Sequence, residues 1–391
     1  MLRPNAAPRV VAREDDLRDV TREAARAVRL AVDVEASGMF TYRARVCAIQ
    51  LAWDRAEHVV VVDTLSAPIG ALGELLGVRG PLKIVHDVAF DARLLAEVGI
   101  DLANVHDTAV AARMLGRTAT GLASLLDSEL DIRIGKEMQQ HDWRVRPFDA
   151  SMLSYLATDV AHLEALEETI WREVGAHGIE DEVLEETRYR LRSAATAART
   201  PQTAPAYTRI KGIERYPERE RAVLMILAEL REREAQRRDV PPYRVASTEA
   251  LVAAARARPA TAAELARVRG FSLSSPAARF FAEEVVGGIA AAGDSLPETE
   301  RARFERPRLP DGVLRARRER EVRLLAWRRA EAKRRGVDEQ VILPGHCVKD
   351  AVEADPSDTD GLGRVPGIGA FRVERDGAAI LHALRGEGVG P

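Results

Sequence analysis

Apolar residues recur with two different periods in this chain, and the switch between them marks out its architecture. Alternating, β-branched runs at 28–35 (VRLAVDVE), 43–53 (RARVCAIQLAW) and 58–64 (HVVVVDT) predict three strands close enough to pair as a meander. A helix is predicted near Ile69 to Leu76, a short apolar strand at 82–86 (LKIVH) and an amphipathic helix at 90–98 (FDARLLAEV). Helical periodicity then runs through 109–115, 122–130 and 151–174. The first half is therefore a mixed α/β domain, and its acidic residues recur where strands end or helices begin.

Residues 193–205 (SAATAARTPQTAP) turn small, polar and proline-containing, which predicts a linker. Beyond it the chain is helical and repeats itself. A shift of 97 residues superposes Leu227 on Leu324, Arg231 on Arg328, Glu234 on Glu331 and Arg237 on Arg334. With no gap, the same shift brings Pro259 onto Pro356, Leu265 onto Leu362 and Gly270 onto Gly367. Two copies of one small helical module follow, at about 207–290 and 312–386, joined by a second proline-containing linker around Pro297 to Pro310.

Composition narrows the class. Of 391 residues, 30% are charged and 46% hydrophobic, which excludes a disordered chain. No stretch approaches the roughly 18 uninterrupted apolar residues of a membrane span, and the first residues have no apolar core of signal-peptide type. The expectation is a cytoplasmic protein with no membrane contact. Cys47 and Cys347 are the only cysteines, offering neither a disulfide framework nor a zinc-ligand spacing. Charge is uneven: residues 1–200 carry 24 Lys and Arg against 32 Asp and Glu, whereas 201–391 carry 34 against 29. Residues 301–335 hold 14 basic and 5 acidic side chains, which suits either a polyanionic phosphate partner or a solvated, Arg-rich helix.

The acids carry the candidate chemistry. Asp33 and Glu35 lie two apart at the end of a strand, so a period of two points both to one face while Val32 and Val34 point to the core. Asp91 opens the helix after LKIVH, and Asp159 follows Tyr155 by four residues, hence on the same helix face. Each has an ordinary explanation: a solvated strand rim, a carboxylate near a helix N-terminus, a pair touching across one turn. Together they come from elements able to converge above one sheet. Like charges about 4 Å apart repel by about 4 kcal/mol per pair at an effective dielectric near 20, so a convergent cluster needs cations. With no zinc-like spacing, hard divalent ions on oxygen ligands match, Mg²⁺ or Mn²⁺. Two such ions suit in-line hydrolysis of a phosphodiester with water as nucleophile.

These residues carry a family resemblance. AVDVEASGMFTYRARVCAIQLA, with Asp33, Glu35, Thr41, Tyr42 and Ile49-Gln50-Leu51, is similar to the first motif of the DEDD 3′-to-5′ exonucleases and, within them, of the bacterial ribonuclease D family. KIVHDVAFDARLL with Asp91, followed by HDTAVAARML with Asp107 and Thr108, resembles the second. The third resembles the stretch from Gly135 and Lys136 through Gln139, Asp142, Trp143, Arg146 and Pro147 to Tyr155 and Asp159. Where one subclass carries a histidine five residues before the last aspartate, this chain has Ser154, which implies the tyrosine subclass. The helical repeats resemble HRDC domains, small nucleic-acid-binding units. The first does so through YTRIK, LREREAQRRDVPPYRV and Pro259 to Gly270; the second, with AWRRAEAKRRGV and RVPGIG, lacks an aspartate at 336 and the Pro-Pro pair.

The resemblance covers nearly the whole chain and implies an α/β protein: a ribonuclease-H-like exonuclease domain with a mixed sheet over residues 1–200, then two small all-α HRDC-like domains at 207–290 and 312–386. It implies that Asp33, Glu35, Asp91 and Asp159 hold two divalent ions, Mg²⁺ or Mn²⁺, with Asp33 bridging, and that Tyr155 orients the attacking water. Nucleoside 5′-monophosphates would leave the 3′ ends of tRNA precursors and other small structured RNAs. Arg231, Arg237 and Arg238 become candidate RNA contacts, as do Lys136 and Arg146, which serve equally as surface salt-bridge partners. His86 and His141 read as structural before phosphate-binding, and Trp143 as a packing anchor. Two alternatives stay open: a DNA 3′-to-5′ exonuclease, since the chemistry is indifferent to the sugar, and an RNA-binding scaffold whose acids do not converge.

Overall fold

A computed structural model describes residues 8–135, 137–201, 203–304 and 309–386. Six strands form one mixed sheet: β1 (Arg9–Val11), β2 (Arg29–Ala36), β3 (Val46–Trp53), β4 (His58–Asp63), β5 (Leu82–Val85) and β6 (Val105–Asp107), in the order β1-β4-β3-β2-β5-β6. The predicted meander is the antiparallel β2-β3-β4 core, with β1, β5 and β6 added in parallel. Every residue of β3 is buried, as a strand covered on both faces requires.

Eight helices accompany the sheet: α1 (Glu14–Ala24), α2 (Leu72–Leu76), α3 (Ala89–Glu97), α4 (Thr108–Met114), α5 (Leu122–Leu130), α6 (Ala150–Ala161), α7 (Leu163–His177) and α8 (Glu180–Arg199). α6 lies across β2, β3 and β4, and α8 runs along α3. The single periodic stretch 151–174 divides at His162 into α6 and α7. β1, β6, α1 and α8 are additions to the expected elements: three-residue strands are too short to express a period, α1 buries only Leu17, Val20 and Ala24 among acids, and α8 buries Glu182, Glu185 and Glu186 beside Val183. The first expected linker is corrected. Ser193 to Arg199 is the end of α8, because its alanines favour helix and Ala194 is buried.

The repeat is visible in the structure. The first copy comprises α9 (Glu218–Arg238), α10 (Pro242–Val245), α11 (Thr248–Ala257), α12 (Ala262–Leu265) and α13 (Pro276–Ala291). After α14 (Glu298–Phe304), which occupies part of the second expected linker, come α15 (Asp311–Arg335), α16 (Glu339–Ile342), α17 (Gly345–Ala354), α18 (Thr359–Gly363) and α19 (Ala370–Arg385). The rest of that linker includes 305–308, outside the described residues. A shift of 97 places α10 on α16 and α11 on α17 residue for residue. The aspartate missing at 336 also finds its reason. Asp239 and Gly336 both cap a helix in the left-handed region, at φ 48° and 66°, where glycine is the less strained choice.

The described residues form two compact units, one of 8–36, 46–200 and 309–386, the other of 37–45 and 201–304. Inside the first, the second repeat is tied to α8 by buried charges. Arg372, wholly buried, bonds to Glu185; Arg375 and Arg335 both reach Glu182, the latter at 2.6 Å; and His346 stacks on Tyr189 at 4.2 Å. Val341 of α16 joins the apolar cluster formed by α4, α5, α7 and α8. Inside the second unit, the segment 37–45 lies on the first repeat: Tyr42 bonds to Glu232 and accepts from Gln236 at 2.8 Å, and the Tyr243 hydroxyl donates to the Met39 carbonyl at 3.1 Å. Among the described residues no helix is long and apolar enough to cross a membrane.

Candidate active site

Three elements place the four acids. On β2, Val32 and Val34 are buried against one side of the sheet while Asp33 and Glu35 emerge on the other. The ladder between β2 and β3 slips its register just after, between Glu35 and Ala36. Asp91 sits in the first turn of α3, and the turn leading there is held by Asp107. This wholly buried carboxylate accepts from the backbone N–H groups of Asp87 and Val88 at 3.0 Å each, and of Ala109 and Val110 at 2.9 and 3.1 Å. One side chain thus caps α4 and anchors the entry to α3. On α6, Asp149 caps the first turn by accepting from Met152 N at 2.8 Å. Leu156, Ala157 and Val160 pack on the sheet, leaving Tyr155 and Asp159 one turn apart. The buried Trp143 ring backs Tyr155, with centroids 5.6 Å apart, as a packing anchor does.

Carboxylate oxygens of Asp33, Glu35 and Asp159 lie within 4.8 Å of one another. Asp91 is outside that group of three, yet the Asp33 charge acts on it and its own acts on Glu35. The cluster borders a cavity of about 530 Å³ also lined by Tyr155, His86 and the first turn of α5 from Gly121 to Ser124. That turn escaped sequence reasoning; its only signal is a glycine ahead of a helix.

Burial and mutual repulsion both act on the four carboxylates. Burial pushes Asp33 up to about 6, Asp159 up to about 8 with help from Asp33, and Glu35 up to about 9 with help from Asp33, Asp159 and Asp91. Asp91 is raised as well, by burial and then by Asp33. Among the described residues no basic side chain offsets these four. The Tyr155 hydroxyl, bonded to Asp159, is raised by burial first and then by the acids, so it stays protonated and donates. An all-oxygen, anionic donor set of this kind fits hard divalent cations.

The other predicted positions divide. Lys136 lies outside the described residues. Arg146 takes the salt-bridge arrangement left open beside RNA contact: it donates to the Cys47 carbonyl and to Asp63, both at 2.7 Å, and lies over the Phe148 ring. Arg231 is buried and reaches the Ala246 carbonyl and Thr248 hydroxyl at 3.3 Å, as its repeat partner Arg328 reaches the Glu339 carbonyl at 2.8 Å. Arg237 and Arg238 pair with Glu234, and the Arg237 side chain stays 57% exposed. His86 is held through Nδ1 by the Thr108 hydroxyl at 2.8 Å, which suits a structural role.

A mixed sheet with this acid cluster, followed by tandem helical repeats, defines a 3′-to-5′ exonuclease with HRDC domains. The family model for a 3′-5′ exonuclease matches residues 8–175, and that for the HRDC domain matches 220–287 and 318–384. Ribonuclease D of Gluconacetobacter diazotrophicus is 30% identical over 299 residues, covering 74% of this chain and 73% of that protein. Ribonuclease D of Acidiphilium cryptum is 31% identical over 290 residues, 72% of each chain. The Escherichia coli RNase D crystal structure, of an exoribonuclease involved in structured RNA processing, shares the fold with a TM-score of 0.69 at 21% identity, over 98% of this chain and 100% of that one. The chain belongs to the ribonuclease D family and is a 3′-to-5′ exoribonuclease. The DEDD exonucleases to which it belongs generally depend on divalent metal.

Proposed function

We propose that the chain removes nucleotides one at a time from the 3′ ends of tRNA precursors and other small structured RNAs, releasing nucleoside 5′-monophosphates. The observation that carries this reading is the meeting of Asp33, Glu35 and Asp159 within 4.8 Å beside a cavity large enough for one nucleotide. Asp33, Glu35, Asp91 and Asp159 would hold two divalent ions, Mg²⁺ or Mn²⁺. Asp33, whose carboxylate meets those of Glu35 and Asp159 and whose charge also reaches Asp91, would be the ligand the two ions share. Bound there, the ions would acidify water and stabilise charge on the departing 3′ oxygen.

The protein's own groups supply placement. Tyr155, a donor held by Asp159 and backed by Trp143, orients the water that attacks the terminal phosphodiester. Tyr155→Phe is expected to lower kcat by about 10²-fold with Mn²⁺ affinity unchanged, read by single-turnover cleavage and calorimetric titration; a matching loss of metal affinity would make Tyr155 a structural residue. The HRDC-like repeats hold folded RNA through exposed bases such as Arg237 and, on α15, Arg315, Arg318 and Lys333.

Time-resolved digestion of matched RNA and DNA oligonucleotides, each with a free or a blocked 3′ end and with or without Mg²⁺, tests the function. Stepwise loss of 5′-monophosphates from unblocked RNA in Mg²⁺ supports it. Equal digestion of DNA would remove RNA selectivity, and cleavage of blocked ends would remove the 3′-end mechanism.

A further inference from the structure

A polar side chain interrupts the apolar layer between α6 and the sheet. On one side Ala48, Val61, Trp143, Met152 and Leu156 pack together; on the other, Ala31, Ala52, Val59, Ala157 and Val160 do so. Between Ala48 and Ala52 on the same face of β3 lies Gln50. Its side chain is wholly buried, and neither Nε2 nor Oε1 has a hydrogen-bond partner among the described residues. Burying an unpaired carboxamide is costly, and a leucine or methionine in this layer would avoid that cost.

Gln50 has a particular neighbour. It is the register partner of Asp33 across the antiparallel β2-β3 ladder, so the two side chains rise from the same face of the sheet as an adjacent cross-strand pair. An ionised carboxylate offers about four lone-pair sites, more than metal ions occupy, and ligating carboxylates are commonly oriented by a hydrogen-bond donor from behind. A carboxamide supplies that donor without adding charge to a cluster already overloaded with it.

We propose that Gln50 is a positioning residue for the metal site, donating through Nε2 to the Asp33 carboxylate when that group holds divalent cations. The proposal rests on the metal-binding role assigned above to the acids. Gln50 touches neither the RNA nor the ions; it acts through Asp33.

Calorimetric titration of the full-length, RNA-free protein with Mn²⁺ tests it, alongside melting in EDTA. Gln50→Leu is expected to weaken Mn²⁺ binding by about 10- to 100-fold, while its melting temperature in EDTA stays equal to or above that of the wild type. KM for a short RNA should hold, with the deficit in kcat recovered by excess Mn²⁺. Unchanged Mn²⁺ affinity in the variant, whatever its melting temperature, overturns the proposal. If Gln50→Leu does not fold, Gln50→Met, which keeps the length of the side chain and lacks the amide donor, is read by the same criterion. A wild-type protein that binds no Mn²⁺ overturns the metal reading and this proposal together; normal wild-type binding with an indifferent variant overturns this one alone.

Discussion

Asp33→Asn reduces kcat on a short single-stranded RNA by about 10³-fold or more in saturating Mg²⁺, while KM changes by less than about threefold. The expectation follows from where Asp33 stands. Its carboxylate meets those of Glu35 and Asp159 within 4.8 Å, and its charge acts on Asp91 as well. Asparagine keeps the shape and removes the charge, so the fold and the RNA-holding surfaces persist. What is lost is the anionic donor common to the cluster, and about 4 kcal/mol of barrier accompanies a 10³-fold loss. The contrast with Tyr155→Phe is diagnostic, because Asp33→Asn should also abolish one measurable Mn²⁺ site in calorimetry. Turnover near the wild-type rate would remove Asp33 from the mechanism.

The sheet and the acid pair on β2 are legible in the sequence because a half-exposed strand has a two-residue period, and that period alone puts Asp33 and Glu35 on one face. The convergence with Asp159 is not periodic information. It depends on α6 crossing β2, β3 and β4, which local patterns do not encode. Burial of charge is equally absent from local patterns. In EDEVLEE at the start of α8, Glu182, Glu185 and Glu186 are buried, since their arginine and histidine partners arrive from α15, α17 and α19 more than 150 residues later. Arg231 reads as a basic surface residue for the same reason. Composition reports charge, and burial reports whether that charge has been paired. Gln50 is the subtlest case, a lone polar letter inside VCAIQLAW that a strand pattern passes over. The left-handed caps at Asp239 and Gly336 show the opposite: a repeat that loses a residue type while conserving the backbone geometry that residue served.

In EDTA the protein should lose stability as pH rises from about 5.5 to about 8.5, and Glu35→Gln should remove much of that loss. Glu35 titrates ordinarily at 4.5, and burial together with three neighbouring carboxylates pushes it up to about 9 in the fold. Between those values the folded protein holds a proton that the unfolded chain has released. Protonation therefore favours folding, and the benefit fades as pH climbs through the folded value, at about 1.4 kcal/mol per pH unit for a group acting alone. Asp159, raised to about 8, and Asp33, raised to about 6, contribute the remaining slope. Glutamine imitates the protonated acid at every pH, so the variant should be the more stable protein in EDTA at pH 8.5 by a few kcal/mol, and equal to the wild type near pH 5. Saturating Mn²⁺ should invert the comparison, because cations bind the ionised cluster more tightly as pH rises and stabilise only the wild type fully. Urea midpoints across this range, with and without Mn²⁺, measure both arms. Parallel curves for the two proteins in EDTA would mean that Glu35 is not held under electrostatic strain. The price in stability would then have to be sought among the other carboxylates, since a cluster built to be neutralised by cations must be least stable when it is charged and bare.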